Sequence, residues 1–274
     1  MRPHLTRRNT VAAEAEKKEG AWETVKTVVW ALAIAGIFRT LFFQPFWIPS
    51  ASMKDTLLIG DFLFVNKMAY GYSEHSCPFS MCPFIEGRWL ERAPERGDVI
   101  VFRHPVNGQD FIKRVVGLPG DRVQMREGRL WLNGEPVPLE PDGVFVEAFE
   151  PQGPLRGEPR CANAPVAPGG ACEKPRYAET LPGADGPHSV LDIGPNRPTD
   201  DTPVFTVPEG HYFFMGDNRD NSTDSRVPQT LGGVGFVPAE NLIGRADRVM
   251  FSSAGRSLLF FWTWRADRFF ERID

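Results

Sequence analysis

The sequence predicts a mainly β fold of short antiparallel strands, preceded by one N-terminal apolar helix and interrupted by a loop-rich insertion. Three observations carry that prediction. Gly 26 and Pro 25 in 274 residues are more chain-punctuating residues than a helical protein tolerates. Short runs rich in β-branched and aromatic residues recur between turn signals, from Phe62 to Ala246. One apolar stretch near the start, Thr27 to Phe38, is longer than any of these runs and holds no turn signal.

Residues 1–20 are polar, mixing Arg7, Arg8, Lys17 and Lys18 with Glu14, Glu16 and Glu19, and are expected to form a frayed tail. Residues 21–44 are read as a transmembrane anchor. Their uninterrupted apolar core, Thr27 to Phe38, is short of the roughly 20 residues a span requires. Extension through Lys26 and Arg39 recovers the length if both side chains snorkel to the headgroups. Basic residues precede the segment, so the tail is expected in the cytoplasm and everything after Phe43 outside. A cleaved secretory leader is the rival, but no small-x-small site follows the run, which continues Arg39-Thr40-Leu41-Phe42-Phe43. A buried core helix is the third reading.

Pro45 and Pro49 end the helix and set an extended lead-in to Ser50 and Ser52. Strands are expected at Phe62–Val65, Val99–Phe102 and Ile112–Val116, with Asn107-Gly108 turning between the last two. Leu130 to Glu135 carries a further hairpin signal. Residues 138–203 are rich in Pro, Gly, Ala and acidic residues and read as the loop-rich insertion. Strand signals resume at Val204–Val207, Tyr212–Met215, Gly235–Pro238 and Leu242–Ala246. Residues 45–137 and 204–250 would thus form one β domain. The segment 251–274 mixes aromatics with arginines, suited either to a membrane interface or to packing on the domain itself.

A net charge of −4 excludes the basic face of a nucleic-acid binder. Four cysteines fall in two local pairs, Cys77 with Cys82 and Cys161 with Cys172, a usage that fits disulfides outside the cytoplasm or four free thiols. No CxxC spacing is present, and no metal site is expected.

Two stretches carry chemistry. Ile48-Pro49-Ser50-Ala51-Ser52-Met53 offers two serines just beyond the apolar segment. Asp110-Phe111-Ile112-Lys113-Arg114-Val115-Val116 places a lysine inside a buried-strand pattern. A serine attacks a carbonyl at neutral pH only if a base takes its proton, and a lysine serves as that base only when desolvation keeps it neutral. Together they suggest a serine/lysine hydrolase beside a membrane.

Four ordered boxes then resemble those of bacterial type I signal peptidases: Pro49–Met53, Arg96–Phe102, Lys113–Asp121 and Gly216–Arg226. The resemblance covers roughly residues 22–125 and 204–250 and implies an antiparallel β catalytic domain needing no cofactor. It implies Ser52 as nucleophile and Lys113 as general base. The Ser50 hydroxyl and the Ser52 N–H would form the oxyanion hole, and Ser222 would orient the lysine. Arg114, Asp217, Asp224 and Arg226 would brace the site. Phe46, Ile48, Leu57 and Ile112 would line pockets for small side chains. The implied substrates are signal-peptide-bearing preproteins cleaved after Ala-x-Ala-like sites. The implied setting is the lipid bilayer of the bacterial inner membrane, near the secretion translocon, with the catalytic domain on the periplasmic side.

The chain departs from the family pattern at Asp55, where a proline is common. A carboxylate there is expected to stabilise protonated Lys113 and shift the pH optimum, unless Lys54 neutralises it. The loop Val227–Val234 is also longer than usual. Among rivals, the self-cleaving serine/lysine regulators lack the anchor and the Gly216–Arg226 box. An acyltransferase of the Ser-x-x-Lys type would need one more residue between Ser52 and Lys54. The non-enzymatic alternative is a membrane-anchored periplasmic binding or scaffold domain.

Overall fold

The computed structural model describes residues 6–76, 85–154, 156–255 and 260–273. Helix α1 runs Thr6–Leu41. It begins well inside the stretch expected to fray, because residues 11–20 are mostly alanine, glutamate and lysine, which favour helix. Residues 21–41 of the expected spanning segment lie within it, whereas Phe43 and Gln44 already belong to the first strand. Yet among the described residues no helix is long and apolar enough to cross a membrane. The reason is local: Glu23 and Lys26, which pair with each other, cut into the apolar run on one side, and Arg39 cuts into it on the other.

The rest is antiparallel β structure in three sheets. The first has seven strands: β1 (Phe43–Trp47), β2 (Asp61–Asn66), β3 (Val99–Arg103), β4 (Asp110–Gly117), β12 (His211–Met215), β13 (Val237–Pro238) and β14 (Leu242–Ser252), in the order β1-β2-β14-β3-β4-β12-β13. The second orders β11 (Phe205–Thr206), β5 (Arg122–Arg126), β6 (Arg129–Leu132) and β7 (Glu135–Pro136). The third orders β10 (His188–Leu191), β9 (Ala171–Glu179) and β8 (Leu139–Ala148).

The third sheet corrects the expectation of a loop-rich insertion. Its strands hide from pattern reading because β8 is exposed along most of its length and both β8 and β9 contain proline, Pro141 and Pro175. A register shift between Pro141 and Val144 accommodates the first of these. Two more strands lie outside the expected set. β5 alternates cleanly between buried Val123 and Met125 and outward-facing neighbours. β1 carries Pro45, which is tolerable because β1 is an edge strand.

Three apolar clusters hold these layers. One gathers Ile48, Met53, Leu57, Leu63, Val65, Val99, Val101 and Ile112 beneath the Ser52 segment. A second packs Val116, Val123, Met125, Leu130, Leu132 and Phe213 between the first two sheets. The third groups Ile100, Phe102, Val115 and Phe214 on the other face of β3 and β4. In the C-terminal segment some aromatics pack on the domain and others stay exposed. Trp264 packs on Phe251 and Phe269, whereas Phe261 and Trp262 stay more than two-thirds exposed, at 69% and 68%.

Candidate active site

The Ser52 segment is pinned before it turns. Ile48 N–H donates to the Asp61 carbonyl at 2.9 Å, and Gly60 N–H donates to the Ile48 carbonyl at 3.0 Å. The chain then folds back on itself, with Lys54 N–H donating to Ala51 at 3.2 Å and Leu57 N–H to Met53 at 2.7 Å. From the opposite side Asn218 grips the same turn: its N–H donates to the Ser52 carbonyl at 3.0 Å and its side-chain amide to the Ala51 carbonyl at 2.9 Å.

Lys113 projects toward this turn from β4, a strand hydrogen-bonded on both sides by β3 and β12. Its Nζ lies 2.6 Å from Ser52 Oγ and donates to the Ile112 carbonyl at 2.8 Å. Burial, only partly offset by the Asp224 and Asp217 carboxylates, lowers its pKa to about 8. An amine so placed is about one-tenth neutral at pH 7 and about half neutral at pH 8, and in that form can accept the serine proton. Ser50 Oγ is 3.4 Å from Ser52 Oγ, and among the described residues no acceptor takes the Ser52 N–H. Two donors are thus available beside Ser52 Oγ.

Buried ion pairs frame the pair. Arg114 makes a two-point contact with Asp217 at 2.9 and 2.8 Å, and Thr56 Oγ1 donates to the same carboxylate at 2.6 Å. Arg226 grips Asp224 at 2.9 Å through two nitrogens, while Gly216 N–H donates to Asp224 at 3.0 Å. Burial alone would push both carboxyls up; the arginines reverse this and hold them below the usual range. Behind them Arg219 pairs with Glu179, whose carboxyl is likewise driven down, against its burial, by the Arg219 charge.

The structure therefore brings Ser50, Ser52 and Lys113 together and pairs Arg114 with Asp217 and Asp224 with Arg226. Ser222 sits in the same loop with its hydroxyl buried, but that hydroxyl faces the Asp224 carboxylate, whose pKa it helps lower, rather than the lysine; Lys113 donates instead to the Ile112 carbonyl. Phe46, Ile48, Leu57 and Ile112 share one cluster, although Ile48 and Leu57 have no exposed surface and form a floor. Cys161 and Cys172 are bonded, with Cα atoms 5.1 Å apart. Cys77 and Cys82 lie outside the described residues.

The expectation for Asp55 is overturned. Its carboxylate faces the third sheet, accepting from Arg176 at 3.3 Å and from Ser189 at 3.2 Å, and the carboxylates that act on Lys113 are Asp224 and Asp217. Lys54 does not neutralise it either, because Lys54 pairs with Glu147. Among the described residues, no group of three His, Cys, Asp or Glu side chains could hold a metal ion.

Thr56, Asn218, Glu179 and Glu147 are site neighbours that motif reading missed. Asn218 sits inside the Gly216–Arg226 box and Thr56 three residues beyond Met53, so proximity was a usable signal; the two glutamates lie in the insertion, where no motif points to them. Gly216 has a direct role as well: a Cβ there would collide with Ser222 Oγ and the Ser52 carbonyl. Gly216→Ala is expected to displace the serine and cut turnover by about a hundredfold, measurable by steady-state cleavage with folding verified by circular dichroism.

Comparison with known proteins identifies relatives of this chain. Residues 21–251 match the family model described as signal peptidase, peptidase S26. Signal peptidase I of Rickettsia typhi is 36% identical over 256 residues, covering 91% of this chain and 85% of that protein. The Rickettsia massiliae enzyme is 35% identical over 232 residues, covering 82% and 77%. A crystal structure of a signal peptidase I from Enterococcus faecalis aligns with a TM-score of 0.29 at 27% identity, covering 56% of this chain and 97% of that one. With a buried serine and lysine in contact and a family match across most of its length, the chain belongs to the signal peptidase family of serine peptidases, S26.

Proposed function

We propose that this chain removes signal peptides from exported preproteins after small-x-small sites, with Ser52 as nucleophile and Lys113 as general base. The observation that carries this reading is the 2.6 Å contact between Lys113 Nζ and Ser52 Oγ in a site where the lysine is 3% exposed. In the reactive state the Ser52 O–H donates to the neutral amine. As Oγ attacks the scissile carbonyl the proton passes to Nζ, and the developing oxyanion is met by the Ser52 N–H and the Ser50 hydroxyl. The ammonium then protonates the leaving amine, and water repeats the sequence in reverse to free Ser52. Phe46 and Ile112, above the Ile48 and Leu57 floor, suit small side chains at the cleavage site.

The setting we propose is the periplasmic face of the bacterial inner membrane, close to the translocon. Supporting it, α1 exposes Val25, Val28, Val29, Trp30, Leu32, Ile34, Ile37 and Phe38 without covering structure. Where α1 ends, an apolar cavity of 350 Å³ opens between Pro45, Phe62, Phe64, Trp264 and Phe269, near exposed Trp47. Confinement of enzyme and signal peptide to one bilayer raises their effective concentration.

Cleavage of a preprotein with an Ala-x-Ala junction, measured in detergent across pH, tests the mechanism. The base must be neutral, so activity is present above the lysine pKa and lost below it. kcat/KM is expected to rise about tenfold per pH unit up to a bend near pH 8 and to level off beyond it. A profile bending near pH 6.5 would instead assign the base to a histidine and sink the lysine mechanism.

A further inference from the structure

The two residues that follow the nucleophile turn are both anchored in the insertion. Lys54, 2% exposed, donates to Glu147 Oε2 at 2.5 Å and to Gln152 Oε1 at 2.6 Å. Glu147 lies on β8 opposite Cys172 of β9, and it also accepts from the buried Lys174 and, at 2.7 Å, from the Gln152 amide. The Cys161–Cys172 bond thus ends directly across the ladder from this carboxylate. Asp55 adds its contacts to Arg176 on β9 and Ser189 on β10. Gly153, in the loop after β8, comes up against the Pro49 carbonyl.

A buried ion network is a poor means of merely attaching one sheet to another, since apolar contacts of the same volume stabilise as well or better. What it adds is direction: Glu147 oxygens fix where the Lys54 side chain ends. The Lys54 backbone N–H in turn closes the turn on Ala51. Asn218 holds this turn from one side and Glu147 from the other.

We propose that Glu147 is a positioning residue for peptide-bond cleavage, acting through Lys54 to hold the Ser52 hydroxyl and N–H in register with Lys113. This rests on the assignment of Ser52 and Lys113 made above. On this view the insertion, whose sequence carries no catalytic motif, forms half of the clamp on the nucleophile.

The test uses the full-length chain in detergent with the Ala-x-Ala preprotein. It measures kcat, KM and the position of the pH limb for the parent, Glu147→Gln, Lys54→Met, the double variant and Lys54→Arg. Loosening the turn is expected to lower kcat about tenfold or more in Glu147→Gln, with KM little changed. The pH limb should move above 8 as water reaches Lys113. The double variant is expected to lose no more than Glu147→Gln alone, because the pair acts as one unit. Lys54→Arg, which keeps charge and reach, should retain most of the parent kcat. If folded Glu147→Gln shows only a lower unfolding midpoint, with kcat and limb unchanged, Glu147 merely seats the insertion and the inference is wrong. Should that variant fail to fold, Lys54→Met decides by the same readouts, since its apolar stem keeps the packing. Failure of the parent itself to cleave would overturn the functional assignment first, an outcome distinct from an active parent beside an indifferent Glu147 variant.

Discussion

Lys113→Met is expected to abolish cleavage while making the protein harder to unfold. Removing the general base from a serine peptidase typically costs about 10³-fold or more in turnover, and Ser52→Ala should lose a comparable factor. The two variants part company in stability. Lys113 is buried and its pKa is lowered to about 8, so at pH 7 the folded protein carries an ammonium that its surroundings disfavour. The sign follows from linkage: the unfolded chain holds this proton more tightly, so the lysine weakens the fold below pH 8 and the cost fades as pH rises toward the ordinary lysine value. Methionine fills the same volume without the charge. Urea unfolding at pH 7 should show Lys113→Met more stable than the parent by about 2 kcal/mol, with Ser52→Ala close to the parent. A destabilised Lys113→Met would mean that the contacts to Ser52 and Ile112 outweigh desolvation.

The opposite pattern is expected at Asp217. Asp217→Ala leaves Arg114, 1% exposed, without its two-point partner, and removes the acceptor of the Thr56 hydroxyl as well. Breaking one side of a buried pair costs about 3–5 kcal/mol, which urea titration with two probes would reveal as a shifted midpoint. Arg114→Met combined with Asp217→Leu removes both charges and should recover most of that loss. Thr56 lies in the nucleophile turn, so the single variant should also lose activity in its folded fraction. Equal loss in the double variant would assign the defect to packing rather than to the uncompensated guanidinium.

Local chemistry in the sequence points to Ser52 and Lys113, which the fold brings into contact, but not to their surroundings. Ser52 and Lys113 were legible because each sits in a short box whose composition has a mechanistic reason: prolines before the serine, apolar neighbours around the lysine. The seven-stranded sheet was largely legible too, since β3, β4, β12 and β14 are dense in β-branched and aromatic residues. Asp55 was misread because its partners lie 121 and 134 residues away, on strands with no visible alternation. The same distance hid Glu147. The anchor was read from a run whose flanking charges the helix keeps on its own surface, where they break the apolar length a span would need.

Strand β14 sits in the interior of the seven-stranded sheet, pairing with β2 on one side and β3 on the other. Those neighbours end at Asn66 and Arg103, whereas β14 does not begin until Leu242. Until residues 242–252 arrive, β2 and β3 have nothing between them, and the Ser52 turn lacks the floor that Ile243, Ala246 and Val249 complete. Pairing across such a sequence separation is slow to form. The serine and lysine therefore gain their complete floor only once β14 has been made, which delays peptidase activity until that strand is in place.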